Sequence, residues 1–174
     1  MKKYNIILFI ALCTGVSANV KLPLIFADGM VLQRNKPISV WGWAAAGENI
    51  EVNFNKQRVK TKAGKDGKWL LHLKPELAGG PYVLSVTGKN SISLKDVLVG
   101  EVWICSGQSN MEFTVNKALN ATEEMKQADF PMIRQFFVER DLSSVPKSDI
   151  KSGWWDSCNK ETVGHFTAVG YYFA

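Results

Sequence analysis

The chain of 174 residues is long enough for one large domain or two small ones. With 46% hydrophobic and 21% charged residues, it has a globular composition that excludes a disordered chain, a collagen-like repeat and a coiled coil. The net charge of +5 is scattered between apolar positions, which disfavours nucleic acid as a partner, since nucleic-acid-binding proteins gather Lys and Arg on one face. Three cysteines and two histidines, without HExxH or paired CxxC motifs, do not make a disulfide framework or a zinc site. We expect neither a metal nor another cofactor.

Residues 1–18 have the pattern of a secretory signal peptide. Residues 1–3 (MKK) are a positive start, residues 6–12 (IILFIAL) are an apolar stretch, and residues 16–18 (VSA) suit signal peptidase. The apolar stretch is shorter than the roughly 20 residues that cross a bilayer, so no stable membrane span is expected.

The alternative at this end of the chain is a lipoprotein signal with Cys13 as the lipidated residue. It ranks second because a leucine precedes Cys13, where a small residue is usual. We therefore predict a secreted or periplasmic protein that begins at Asn19. In such an oxidising compartment Cys105 and Cys158 are either paired or free, and the sequence leaves both possibilities open.

Residues 19–95 are predicted to form a β-sandwich. Short segments rich in β-forming residues are separated by turns that contain Gly, Pro or Asn, and no helical periodicity of useful length interrupts them. The predicted strands are residues 38–43, 50–54, 57–62, 68–73, 82–87 and 91–94.

Three tryptophans on these strands admit two interpretations, stacking on sugar rings or filling the core. The core is favoured for Trp41, Trp43 and Trp69, because alternating aromatic residues on strands usually fill it. Trp41 and Trp43 are two residues apart and share a face, so both are predicted to point inward while Gly42 points outward. His72 is expected to be an ordinary strand residue.

From residue 96 the pattern changes to alternating strand and helix, which indicates the start of an α/β unit. Residues 97–105 (VLVGEVWIC) are a nearly continuous apolar run, typical of a strand buried on both faces of a parallel sheet. A helix over residues 116–127, a strand over residues 133–138 and an amphipathic helix from residue 161 onward are predicted after it. This last helix has no stop signal, and two strands cannot bury both faces of a sheet, so we expect the front portion of a longer protein.

The block at residues 99–112 (VGEVWICSGQSNME) resembles the nucleophile block of the sialate O-acetylesterases. These are SGNH/GDSL-type serine esterases in which Gly-Gln-Ser-Asn replaces Gly-Asp-Ser. The segments LPLIFADGMVLQ (22–33), VWGW (40–43) and GGPY (79–82) resemble the β-sandwich that precedes the hydrolase domain in that family, and FTAVGYYFA (166–174) resembles its first long helix after the second strand. The resemblance implies a β-sandwich over residues 19–95, followed over residues 96–174 by the N-terminal part of an SGNH hydrolase-like, flavodoxin-like three-layer α/β domain.

The same resemblance implies a carbohydrate esterase that hydrolyses O-acetyl esters on sialic acid or a related glycan. Ser109 takes the nucleophile position, and its own backbone N–H is an oxyanion donor. Gly107, Gln108 and Asn110 are neighbours that shape the turn and have no catalytic step of their own. The base, its orienter and the rest of the oxyanion hole lie in family segments beyond this chain, so the 174-residue chain alone is expected to be inactive.

The polar residues around Ser109 are of the types that an ordinary turn contains. Ser106 competes with Ser109 for the role of nucleophile, but it falls at the end of the predicted strand rather than at the family's serine position. Glu112 is expected to lie in the first turn of a helix, where a carboxylate is stabilising, and His165 is expected to be a helix-surface residue. The alternative function is a non-catalytic carbohydrate-binding or interaction module left by truncation.

Overall fold

The computed structural model describes residues 19–174, so the predicted signal peptide lies outside the described residues. The described part is rich in β-sheet: a curled half-barrel of seven strands is followed by a two-stranded sheet and short helices. The strands are β1 (Val31–Gln33), β2 (Ile38–Trp43), β3 (Asn49–Phe54), β4 (Gln57–Lys62), β5 (Lys68–Leu73), β6 (Gly79–Thr87), β7 (Ser91–Gly100), β8 (Asp129–Val138) and β9 (Gly153–Asn159). The α-helices are α1 (Ala121–Gln127) and α2 (Ala168–Phe173).

The half-barrel has one core enclosed by two sheets. One sheet has five strands in the order β1-β7-β6-β3-β4, and the other pairs β2 with β5 in antiparallel register. Buried side chains from both sheets meet in one cluster, to which Phe54, Leu73 and Leu84 contribute. The geometry of a strand directs every second side chain to the same face, and the alternation of apolar and polar residues places the apolar ones on the face toward the core.

β5 shows how the sequence pattern fixes these faces. Its Trp69, Leu71 and Leu73 are buried, whereas His72 is exposed and lies within 3.1 Å of the Ser39 hydroxyl on β2. The predictions that Trp69 is a core residue and that His72 is an ordinary strand residue are therefore confirmed.

Trp41 faces away from the core, so the prediction that Trp41 and Trp43 point inward and Gly42 outward is wrong. Val40 and Gly42 are buried, whereas Trp41 keeps 37% of its surface exposed and Trp43 is half-buried. The reason is a backbone crossing: a Cβ on Gly42 would lie 2.1 Å from the carbonyl oxygen of Lys21. The inner position therefore takes a glycine, and both tryptophans fall on the other face.

The predicted strand over residues 97–105 is also corrected. β7 already begins at Ser91, crosses the domain boundary predicted at residue 95 and ends at Gly100. It pairs antiparallel with β6 and parallel with β1, so its buried residues Val97, Leu98 and Val99 belong to the half-barrel rather than to a second, parallel sheet. Residues 101–110 form no strand and are exposed.

The chain beyond residue 110 does not form the expected parallel strand–helix unit. The predicted strand over residues 133–138 is part of β8, which pairs antiparallel with β9, a strand that the sequence analysis missed. The predicted helix over residues 116–127 is shortened to a 3₁₀ turn at Val115–Lys117 and α1. Asn120 separates the two because its backbone is left-handed, with φ 58°.

The final helix is interrupted as well. A 3₁₀ turn at Val163–His165 precedes α2, and Phe166 between them is extended. The carbonyl of Phe166 accepts the N–H of Val115 at 3.0 Å, and Thr167 forms a β-bridge with Thr114. These bonds between distant parts of the chain replace the bonds that a continuous helix would make. His165 becomes an exposed residue of the 3₁₀ turn.

A deeply seated arginine joins the β8–β9 sheet to the half-barrel. The Arg134 side chain is only 8% exposed, and it donates to both carboxylate oxygens of Asp96 at 2.7 and 3.3 Å. Its Nε also donates to the carbonyl of Pro131. Nearby, the indole N–H of Trp155 donates to the carbonyl of Ile25 at 2.8 Å.

Two further observations bear on the sequence predictions. No helix within residues 19–174 has the length and apolar character of a membrane span.

Cys105 is exposed and Cys158 is buried, and the two are free thiols. Burial raises the pKa of the Cys158 thiol.

The contrast between two tryptophans gives a stability prediction. Replacing Trp69 with Ala should lower the free energy of unfolding by about 3–5 kcal/mol, the range for a buried aromatic side chain, because Trp69 is 4% exposed. Its indole N–H has no acceptor among the described residues, so the loss comes from packing. Trp41→Ala should lower the free energy of unfolding by clearly less. Urea unfolding of both variants measures this, and equal losses would contradict the assignment of faces.

Candidate active site

The segment that carries Ser109 leaves the end of β7 and is anchored there by β1. The side chain of Gln33 accepts the backbone N–H of Val102 at 2.9 Å and donates to the Glu101 carboxylate at 2.8 Å. The guanidinium of Arg34 donates to the same carboxylate at 2.6 Å. The donors on Gln33 and Arg34 lower the pKa of Glu101, because they stabilise its ionised form.

Helix α2 supports the middle of this segment from behind. The rings of Trp103 and Phe173 meet edge to face, with centroids 5.0 Å apart. Farther along, a Cβ on Gly170 would lie 2.9 Å from the sulfur of Cys105, so the glycine allows the segment to pass close to the helix. Residues 101–105 are therefore held at one end by β1 and along their length by α2.

Ser109 lies in a tight turn that comes after this stretch. The carbonyl of Gln108 accepts the N–H of Met111 at 2.9 Å, and the carbonyl of Ser109 accepts the N–H of Glu112 at 3.2 Å. These are two overlapping β-turns. A Cβ on Gly107 would lie 2.9 Å from the Met111 side chain, which explains the glycine before the turn. The exposed turn thus brings together the residues predicted as the site: Gly107, Gln108, Ser109 and Asn110.

The Ser109 hydroxyl is exposed to solvent and is not paired with a base. Within residues 19–174, neither its Oγ nor its backbone N–H has a hydrogen-bond partner. His72 pairs with Ser39 on β2 instead, and His165 lies exposed in its 3₁₀ turn. An unpaired serine hydroxyl is a weak nucleophile, so chemistry at Ser109 requires a proton acceptor that the described residues do not place there.

The prediction that Glu112 lies in the first turn of a helix is wrong. Glu112 closes the turn and forms an ion pair with Arg140, in the connection after β8. Sequence reasoning missed Arg140 because 28 residues separate it from Glu112. It also missed a groove of about 630 Å³ that Arg140 lines together with Trp41. This groove does not include Ser109.

In the part of the chain that the structure describes, the acidic, histidine and cysteine side chains do not form a metal site. Among residues 19–174, no group of three or more His, Cys, Asp or Glu side chains lies close enough to hold a metal ion.

The anchoring of Glu101 can be tested by its titration. Replacing Gln33 with Leu should raise the pKa of Glu101 towards its ordinary value, because the largest stabilising donor to the carboxylate is lost. Arg34→Leu should raise it as well, because both a hydrogen bond and a favourable charge are lost. Carboxyl carbon shifts followed by NMR against pH measure both effects. An unchanged pKa in both variants would contradict the described anchor.

Comparison with known proteins relates the chain to a group of esterases. A scan against protein-family models finds none that matches. Sialate O-acetylesterase of Homo sapiens is 32% identical over 157 residues, which cover 79% of this chain and 29% of that protein. Sialate O-acetylesterase of Rattus norvegicus is 30% identical over 154 residues, which cover 78% of this chain and 28% of that protein.

A solved structure agrees with these relatives. The crystal structure of a novel carbohydrate acetylesterase from Xanthomonas citri matches with a TM-score of 0.88 and 41% identity, over 90% of this chain and 36% of that one. The chain thus spans less than a third of the length of the curated relatives. Over that part of their length, it is a homologue of the sialate O-acetylesterases, as the resemblance of its sequence predicts.

Proposed function

We propose that this chain is part of a carbohydrate esterase that hydrolyses O-acetyl esters on sialic acid or a related glycan, with Ser109 as the nucleophile. The observation that carries the proposal is the exposed turn at Ser109. The chain that contains this turn is 41% identical to a carbohydrate acetylesterase of known structure. The hydroxyl is accessible to a substrate, and the backbone around it is fixed by hydrogen bonds. An acyl-transfer nucleophile needs both properties.

In this mechanism the Ser109 oxygen attacks the carbonyl carbon of the acetyl group while a base takes the hydroxyl proton. The tetrahedral oxyanion accepts a hydrogen bond from the Ser109 backbone N–H, which has no other partner among the described residues. The base returns its proton to the departing sugar oxygen, and water then releases acetate from the acetyl-serine. By resemblance to the family, the base and its orienter come from segments beyond this chain.

We also propose the finer domain description that the resemblance implies. The β-sandwich domain begins at residue 19 and ends with β7 at Gly100, five residues beyond the boundary that the resemblance implies, and the chain after it is the N-terminal part of an SGNH-type, flavodoxin-like α/β domain. The two-sheet core supports the first part, and the high TM-score supports the likeness of the whole to an acetylesterase. The exposed apolar side chains of Trp103 and Ile104, 64% and 91% accessible, are consistent with a segment that packs against further chain.

A second candidate function is a non-catalytic carbohydrate-binding module. The absence of a base beside Ser109 within residues 19–174 favours this function. The exposed ring of Trp41 on the half-barrel favours it as well. The two functions differ in one requirement: the esterase depends on the Ser109 hydroxyl, and the binding module does not.

The test uses a chimera in which residues 19–174 replace the matching part of the Xanthomonas citri carbohydrate acetylesterase. Hydrolysis of an acetyl ester by this chimera should fall by at least about 1000-fold in Ser109→Ala, because the attacking oxygen is gone. Ser106→Ala is the matched control. It removes a hydroxyl three residues earlier on the same exposed segment and should leave most of the activity.

The 174-residue chain by itself should show little or no hydrolysis in the same assay, since no base among residues 19–174 is paired with its serine. Full activity in Ser109→Ala, or loss in Ser106→Ala alone, would reject Ser109 as the nucleophile. Robust turnover by the short chain would reject the proposal that its base comes from elsewhere.

We further propose that the protein is secreted or periplasmic. The positive start, apolar stretch and small residues of positions 1–18 support this. After export in a bacterial host, mass spectrometry should find a mature chain that begins at Asn19. A diacylglyceryl group on Cys13 would instead establish the lipoprotein alternative, and an uncleaved chain that stays in the cytoplasm would reject export.

A further inference from the structure

A groove lies between the outer face of the half-barrel and the chain after β8. One wall is formed by Ile25 and Trp41, and the other by Phe136, Val138 and the connection at residues 139–151. Its volume of about 630 Å³ lies within the range of about 300–1,000 Å³ that small-molecule sites occupy. The groove therefore has the size of a binding site for one or two sugar rings.

Trp41 is the largest aromatic surface in this groove, and it is held rigidly. Its ring packs edge to face on Phe26, with centroids 4.7 Å apart and planes at 75°. Phe26 itself is buried, so the indole is fixed from one side while 37% of the residue stays accessible. A rigid, exposed indole offers a flat apolar surface at a low cost in conformational entropy.

The groove carries no net charge. Its cationic side chains are Arg140, Lys147 and Lys151, and its acidic side chains are Glu139, Asp141 and Asp149. Arg140 is paired with Glu112 outside the groove, and Lys147 with Asp141 inside it. A balanced rim of donors and acceptors around an apolar floor favours a ligand with many hydroxyl groups and no charge.

One ion pair links the groove to the Ser109 turn. A β-turn keeps its first and last Cα atoms within about 7 Å of each other, and Ser109 and Glu112 are the ends of such a turn. Glu112 in turn contacts Arg140 on the groove wall. One ion pair and one turn therefore connect the nucleophile to the groove.

We propose that this groove is a subsite for a neutral pyranose of the glycan, stacked on Trp41, next to the sugar that carries the acetyl ester. The choice of a glycan as occupant rests on the proposed esterase function. The stacking position and the preference for an uncharged ring come from the groove itself.

The test measures binding by the 174-residue chain, without any need for catalysis. Isothermal titration with xylohexaose, cellohexaose and lacto-N-tetraose should detect at least one complex. Trp41→Ala should weaken that complex by about 10-fold or more, the effect of truncating a tryptophan at the centre of an interface. Trp41→Phe should retain part of the affinity. Sialic acid alone, which is anionic, should bind no more tightly in the wild type than in Trp41→Ala.

Trp154→Ala is the matched control. Trp154 is also exposed, at 47%, and packs on Phe137, but neither residue lines the groove. This variant should bind the saccharide as the wild type does. A second variant, Val145→Arg, places a long side chain on the groove wall at a position that is 64% exposed, and it should abolish binding with an unchanged melting temperature.

Absence of binding by all three neutral saccharides would overturn the proposal. So would binding that survives both Trp41→Ala and Val145→Arg. These failures are separate from a failure of the esterase proposal, which depends on Ser109→Ala in the chimera. Binding through Trp41 without Ser109-dependent hydrolysis would keep the subsite and reject the esterase.

Discussion

The contact between Arg134 and Asp96 determines how the two parts of the described chain are arranged. Asp96 sits within β7, with a left-handed backbone, while Arg134 belongs to β8. The guanidinium is almost fully enclosed and uses three N–H groups, two on the carboxylate and one on the Pro131 carbonyl. Such a forked arrangement is specific to arginine, since a lysine would offer a single point charge. Removing Asp96 would leave the enclosed guanidinium without its counter-charge, which makes the loss of this carboxylate costly, whereas the Asp96 side chain is 49% exposed and would stay solvated without Arg134.

The groove at Trp41 depends on this contact. The wall at Phe136 and Val138 is the continuation of β8 beyond Arg134, and it faces the half-barrel only while the β8–β9 sheet is docked. The hydrogen bond from Trp155 to the Ile25 carbonyl fixes the same junction from β9. A substitution at Arg134 would therefore alter the shape of the groove and, through Arg140 and Glu112, the position of the Ser109 turn.

The sequence predicted those strands whose two faces have different surroundings. β2, β4 and β5 match their predicted bounds, because alternation and turn residues are local signals. The faces of β2 were predicted wrongly, since they depend on Lys21, which lies about twenty residues upstream and crosses at Gly42. β9 was missed for a related reason: its partner β8 lies across a long connection, and the sequence GWWDSCN has no clear alternation that would mark it as a strand without that pairing. The apolar run at residues 97–105 has no periodicity that could separate the end of β7 from the exposed stretch after it.

The candidate site was predictable where it is local and not where it is assembled from distant parts. The turn around Ser109 is encoded by Gly107 and the polar residues beside it, all within one short segment. The residues that support this segment are not local in the sequence. Gln33 comes from β1, Gly170 from α2 and Arg140 from the connection after β8. The first two contacts hold residues 101–105 ahead of the turn and the third holds Glu112 at its end, although the serine hydroxyl is free of any base among residues 19–174. The position of the nucleophile is thus set before a base is present, so adding a base need not reorganise the turn. Preorganisation of this kind is what lets positioning lower a reaction barrier.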